Sequence, residues 1–249
     1  MRLDHVIVAV ANLDQAMADY QSLGFTVFFG GQHAGGVTHN ALICMADGSY
    51  IELIAPVDPQ TPPAASPYLG TGNGYAGFAL LVDDLQAIAD QLAKAGLDFD
   101  GPNPGGRVTP DGEELRWESL FFPGSIAPFL IADVTPRHLR VPRDPAKLHH
   151  ANGALGLRAL SVAAGDFEQT LAQYRVILGA PIPLGEGATE QEFVMEDWNL
   201  YLAPAAPGSR RAVGPMPKHC VLETGQADAI GPLDLQFSHG ASFSLAARA

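Results

Sequence analysis

Cysteine is nearly missing from this chain. Its 249 residues carry only Cys44 and Cys220, too few for a disulfide framework or a thiolate zinc site. Positive charge is short as well: 14 basic residues stand against 27 acidic ones, a formal net charge of −13. Nucleic-acid phosphates and anionic membrane surfaces would therefore meet repulsion over most of the surface. No apolar run approaches the roughly 20 residues that span a bilayer. The opening Met1-Arg2-Leu3-Asp4-His5 also lacks the charged leader and apolar stretch of a signal peptide. The expectation is a cytoplasmic protein with neither nucleic-acid nor membrane partners. What is present, 47% hydrophobic and 16% charged residues, is the composition of a folded chain, either one large domain or two small ones.

The pattern along the chain repeats. Leu3 to Val10 is rich in β-branched residues and predicts a strand. Asn12 is placed to cap a helix carrying Leu13, Ala16, Met17, Tyr20 and Leu23, and Gly24 ends it. Phe25 to Phe29 predicts a short strand, followed by a Gly-rich loop that contains His33. Asn40 to Met45 and Tyr50 to Ala55 predict two more strands around an Asp47-Gly48 turn. The unit reads βαβββ. It recurs from Phe78 to Val82, with Asp84 as cap and Gly96 as stop, and then strands at Leu115–Phe122 and Pro128–Ala132. Val10 to Gly24 and Val82 to Gly96 are both intervals of 14 residues. A third copy starts at Leu157–Ala163 with Asp166 as cap, and its strands fall at Glu192–Met195 and Asn199–Leu202. A shortened fourth would use Lys218–Glu223 and Ser242–Ala246. Proline-rich boundaries at Pro56–Pro67, Thr135–His150 and Pro204–Pro217 separate the copies. The predicted organisation is paired modules at 1–133, a linker at 134–151, and a second half at 152–249 whose final module is shortened. The fold class is α+β, with curved mixed sheets around a cleft.

Certain stretches carry a family resemblance: Leu3-Asp4-His5-Val6-Ile7-Val8-Ala9-Val10, Leu23-Gly24-Phe25, Thr38-His39-Asn40-Ala41-Leu42 and Tyr50-Ile51-Glu52-Leu53-Ile54. They resemble the opening of the glyoxalase-like domain family, within the vicinal oxygen chelate superfamily. Leu115-Arg116-Trp117 and His150-Ala151-Asn152-Gly153 resemble later parts of it. The resemblance implies metal ligands from the first and last strands of a module, here His5 and Glu52. Strand alternation agrees, because His5 shares a face with Ile7 and Ala9, and Glu52 shares one with Tyr50 and Ile54. A glutamate inside an apolar strand has to be paired, hydrogen-bonded or metal-bound. Imidazole plus carboxylate suits zinc, iron, manganese, nickel or cobalt. The second module departs from the pattern: the position 72 residues after His5 is Gly77, and Pro128–Ala132 contains no acid or imidazole.

Around this pair, a two-residue Asp47-Gly48 turn would place His39 on the concave side with Glu52. His39 and Asn40 are expected substrate contacts, Asn40 orienting a carbonyl or hydroxyl or else satisfying a strand end. Arg116 would bind a substrate carboxylate if it faces the cavity, or pair with Glu118 if it faces solvent. Trp117 and Tyr50 would stack on a ligand. No nucleotide cofactor is expected, since the glycines of residues 30–36 match no P-loop or dinucleotide spacing. The functional expectation is a metal-assisted lyase or isomerase of a small oxygenated metabolite, with Glu52 as ligand or base. The rival is a protein that sequesters a small aromatic or antibiotic-like molecule without chemistry. The third and fourth copies supply packing residues only, and cover a sheet edge or support a homodimer.

Overall fold

The computed structural model describes residues 1–185, 189–207 and 214–248. The first module runs β1 (Arg2–Ala9), α1 (Leu13–Ser22), β2 (Phe28–His33), β3 (Thr38–Cys44) and β4 (Tyr50–Pro56). The second runs β5 (Gly74–Leu81), α2 (Leu85–Lys94), β6 (Asp100–Val108), β7 (Glu114–Phe122) and β8 (Ser125–Asp133). Their strands close one barrel in the order β1-β4-β3-β2-β6-β7-β8-β5. The modules meet through like strands, β1 antiparallel to β5 and β2 antiparallel to β6.

Two short helices follow, α3 (Arg137–Arg140) and α4 (Pro145–Leu148). The third copy is β9 (Ala154–Ala164), α5 (Phe167–Leu178), β10 (Ile182–Pro183), β11 (Gln191–Val194) and β12 (Asn199–Pro204). Among the described residues the fourth keeps only β13 (Met216–Thr224), β14 (Gly231–Pro232) and β15 (Phe243–Ala247). A single 3-10 turn at Ala227–Ala229 stands where its helix would be. With a module that short, the second half remains an open seven-stranded sheet. The boundary expected at Pro204–Pro217 lies partly outside the described residues. Among the described residues no helix is long and apolar enough to cross a membrane.

The three long helices start alike. The side chains of Asn12, Asp84 and Asp166 each accept from the backbone N–H three residues on, satisfying a donor the helix leaves open. Each helix lays its apolar stripe on a sheet, α1 through Leu13, Ala16 and Tyr20, α2 through Leu85, Ala89 and Leu92.

Two strand predictions need correction. β2 extends through Gly30, Gly31 and His33, a stretch that reads as loop because glycine weakens strands. Here the missing side chains permit close approach. A Cβ at Gly31 would lie 2.0 Å from the Val108 carbonyl oxygen, and one at Gly30 2.3 Å from both Arg107 and Asn40. β6, Asp-Gly-Pro-Asn-Pro-Gly-Gly-Arg-Val, carries no strand signal and forms because β2 and β7 offer it ladders on both sides. The expected linker 134–151 is no plain spacer either. Arg140, Val141 and His150 are buried, and His150 accepts from the Thr26 N–H while its other ring nitrogen meets the Cys44 carbonyl.

One apolar core serves both halves. Tyr20 of α1 packs edge-on to Phe243 of β15, Tyr75 of β5 tilts against the same ring, and the Tyr20 hydroxyl donates to the Ser238 carbonyl. Phe243 is 1% exposed. A Phe243→Ala variant should therefore lose about 3–5 kcal/mol of stability in urea unfolding, since a cavity opens where the halves meet. A loss under about 1 kcal/mol would show that the halves are not locked through this ring.

Candidate functional site

β1 and β4 are neighbours in the barrel, and their residues alternate as expected. Val6, Val8, Ile51 and Leu53 pack in the large core beneath the helices, while Ile7, Ala9 and Ile54 line the barrel interior. His5 and Glu52 share that inner face, with His5 Nε2 lying 3.4 Å from Glu52 Oε2.

Glu52 is buried, and three side chains surround it. Asn40 Nδ2 donates to Oε1 at 2.6 Å, and His33 Nε2 lies 3.3 Å from the same oxygen. Burial alone would raise its pKa. The hydrogen bond and charge of His33, the charge of His5 and the hydrogen bond from Asn40 instead bring it down to about 2. Arg107 Nη1 donates to Asn40 Oδ1 at 3.1 Å. That bond turns the amide so that its NH2 must face the carboxylate.

His5 is held from behind. Its Nδ1 donates to Asp4 Oδ2 at 2.7 Å, and its ring stacks on Tyr50 with centroids 4.5 Å apart. Burial works to raise the pKa of Asp4. The charges of Arg140, His5 and Arg137, with the His5 hydrogen bond, hold it well below the usual carboxylate range. Since Asp4 is ionised, Nδ1 must carry the proton, and Nε2 faces Glu52 and the cavity. Arg140 itself reaches Asp4, Asp133 and the Tyr50 hydroxyl from α3.

These groups open on a cavity of about 280 Å³, walled by Ile7, Trp117, Phe121 and Phe129. Phe129 is edge-on to His5, and Trp117 is edge-on to His33. A larger cavity of about 560 Å³ lies at the seam between barrel and second sheet, lined by residues such as Asp47, Arg158 and Glu223. Histidine and cysteine are absent from its described lining, so the barrel interior is the candidate site.

The structure brings together His5, Glu52, Asn40, Tyr50 and Trp117, and separates His39 and Arg116 from them. The turn is the reason for His39. Cys44 pairs with Tyr50 across the three residues Ala46, Asp47 and Gly48 inside the Met45–Ser49 closure, with Gly48 at φ +86°. This is one residue longer than the two-residue turn expected, and a one-residue slip sends every side chain of a strand to the opposite face. His39 accordingly packs edge-on to Phe29 outside the barrel while Asn40 enters it. Arg116 is exposed, because alternation along β7 turns Trp117, Ser119 and Phe121 inward. His33, Arg107 and Arg140 are functional candidates that sequence reasoning missed. The signal for His33 was the pair Gly30-Gly31, legible as close approach within a strand. Both thiols are buried, and burial pushes Cys44 up to about 12, so neither is a nucleophile at neutral pH.

A barrel of two βαβββ modules with an imidazole–carboxylate cluster on its inner wall is a glyoxalase-like architecture. The chain belongs to the glyoxalase-like domain family, whose sequence profile matches residues 3–178. No curated protein matches it in sequence. Among solved structures, a hypothetical protein from Staphylococcus aureus superposes with TM-score 0.77 at 15% identity, covering 99% of each chain. The Mn(II)-bound glyoxalase from Novosphingobium aromaticivorans gives 0.56 at 14%, covering 92% of this chain and 67% of that one. The 2,2',3-trihydroxybiphenyl 1,2-dioxygenase of Sphingomonas wittichii strain RW1 gives 0.55 at 17%, covering 98% and 90%. At such identities the likeness is one of fold.

Two imidazoles and a carboxylate are donor types that suit a divalent ion. Their arrangement does not fit one. His5 and His33 address opposite oxygens of Glu52, and Asn40 already donates to one of them. Among the described residues no group of three or more His, Cys, Asp or Glu could hold a metal. The pair expected of module one is present, and nothing joins it from module two. Ile7 pairs with Glu52 on β4, its counterpart Ala79 pairs with Phe129 on β8, and Gly77 stands opposite Ile7 on β5. An aromatic ring occupies the place of a second acid.

The low pKa of Glu52 has a consequence for stability. Its folded value, about 2, lies under the ordinary 4.5, so its contribution is complete above pH 4.5 and is lost as pH falls toward 2. Thermal melts should show wild-type stability falling across that window, and a Glu52→Gln variant should fall less steeply. Parallel curves would mean that Glu52 is not held by its imidazole neighbours.

Proposed function

We propose that this chain is a lyase or isomerase acting on a small oxygenated metabolite through imidazole proton transfer. The observation that carries the reading is the Asp4–His5 pair, in which an ionised carboxylate fixes the tautomer and aims Nε2 at the cavity. Such an orienting partner is how a histidine is prepared as a base. The aromatic walls by themselves would serve a sequestering protein, but a binding wall has no use for an oriented, carboxylate-backed imidazole.

In this reading a carbon-bound proton next to a carbonyl passes to His5 Nε2, and the electron pair moves to the carbonyl oxygen as an enolate or enediolate. Glu52 is a weak base at a pKa of about 2 and serves as a fixed negative charge, stabilising the imidazolium that forms. His33, across Glu52 from His5, gives a proton from Nε2 to the neighbouring carbon or oxygen, and the turnover closes when His5 releases its proton to solvent and His33 takes one up; Thr38 Oγ1 meets the His33 Nδ1 at 2.9 Å. Asn40 keeps Glu52 in place. The donors do not close around an ion, and each of these steps uses only side chains of this chain and solvent.

Deuterium exchange at the carbon beside the carbonyl, followed by proton NMR on a panel of small 2-hydroxy ketones, 2-oxo aldehydes and 2-oxo acids, tests this. His5→Ala should slow exchange at least about 100-fold with the fold intact. Absence of exchange across the panel, or an unaffected His5→Ala variant, would overturn the reading. In parallel, protein incubated with manganese, zinc, iron, cobalt or nickel and then desalted should retain less than about a tenth of an ion per chain. One tightly held ion would restore a Lewis-acid role.

A further inference from the structure

Three arginines, Arg107, Arg137 and Arg140, and three carboxylates, Asp4, Asp133 and Glu52, lie in and beneath the cavity, but they are not in contact one to one. Arg140 is spent on Asp4 and Asp133, and Arg137 contacts the same two carboxylates. Glu52 is spent on His5, His33 and Asn40. Arg107 is different. It is only 5% exposed and lines the cavity, yet it makes no ion pair with a carboxylate among the described residues. Its Nη1 donates to the Asn40 side chain and its Nη2 to the Arg140 backbone carbonyl, both neutral acceptors. Its Nε is buried with no hydrogen-bond partner.

A buried guanidinium with no carboxylate in contact is costly, since Glu52 reaches Arg107 only across the Asn40 amide, and an anion in direct contact recovers that cost. The site is also built around it, because Gly30 is what leaves room. A Cβ there would lie 2.3 Å from Arg107 Nη1 and from Asn40 Oδ1. Ile7, Trp117, Phe121 and Phe129 give the cavity an apolar and aromatic stretch of wall, with Asn103 and Ser119 as polar residues beside it.

We propose that the ligand of this cavity is a small carboxylic acid, its carboxylate paired with Arg107 and its apolar body held among the aromatic walls. The inference rests on the barrel interior being the substrate site and narrows it to one substrate class. A planar guanidinium suits a carboxylate better than a point charge does. With the carboxylate anchored at Arg107, the adjacent carbon is directed toward Glu52 and its two imidazoles, because Asn40 bridges Arg107 and Glu52.

Calorimetric titration of the full chain with matched probes tests the proposal: phenylacetate and 3-phenylpropionate against phenylacetamide and 3-phenylpropanamide, which have the same shapes without the charge. In wild type the acids should bind at least tenfold more tightly than their amides. Arg107→Gln should bring that ratio within twofold, Arg107→Lys should retain part of it, and Gly30→Ala should reduce it with the charge still present. Circular dichroism checks each fold. If Arg107→Gln does not fold, Gly30→Ala carries the comparison. Equal binding of acids and amides, no binding of either, or an undiminished ratio in the variants would overturn the proposal. An acid preference without carbon-bound deuterium exchange would count against the proton-transfer reading alone. Exchange without an acid preference would count against the carboxylate alone.

Discussion

A carboxylate on an apolar strand inside a barrel has to be neutral or surrounded, and Glu52 is surrounded. Burial opposes its charge, and the opposition is met by two imidazoles and an amide that arrive from three other strands: His5 from β1, His33 from β2 and Asn40 from β3. The need to satisfy one anion thus ties four adjacent strands of module one to a single point. It also explains the second ring of contacts. Arg107 orients the Asn40 amide, Asp4 orients the His5 ring, and Arg140 neutralises Asp4. Each of these would be an expensive buried charge or an ambiguous amide without the one before it.

The barrel is symmetric in its backbone and asymmetric in its chemistry. Both modules contribute the same strand order and close through like strands. Module one keeps the polar cluster, while module two presents Gly77, Phe121 and Phe129 to the same space. The result is a pocket with a reactive wall from module one and a largely aromatic wall from module two, interrupted by Arg107 and Ser119. That division suits a ligand with a polar reacting end and an apolar body.

The segment between the halves shows how far the site extends. Residues 134–151 are rich in proline and basic charge, yet α3 delivers Arg137 and Arg140 to Asp4, and His150 joins Thr26 to Cys44. The segment that connects the two sheets therefore also positions His5. Arg137 spans the boundary, reaching Asp4 on the barrel side while lining the seam cavity on the other.

Patterns that depend only on near neighbours are legible in the amino-acid sequence itself. Strand alternation puts His5 and Glu52 on one face, because side-chain direction along a strand has period two. Caps at Asn12, Asp84 and Asp166 mark the helices for the same local reason, and their recurrence discloses the βαβββ repeat. The family likeness agrees with both. The features that depend on long-range pairing were decided by the tertiary structure alone. One extra residue in the Ala46–Gly48 turn exchanged His39 for Asn40, since register converts a single-residue difference into a change of face. The glycines of β2 and the prolines of β6 argued against strands, and barrel closure overrode them by supplying partners on both sides. Arg107 and Arg140 lie 67 residues from Asn40 and 136 from Asp4 along the chain. Only the closed barrel makes them neighbours, because nothing in their own segments encodes the acceptors they were folded to meet.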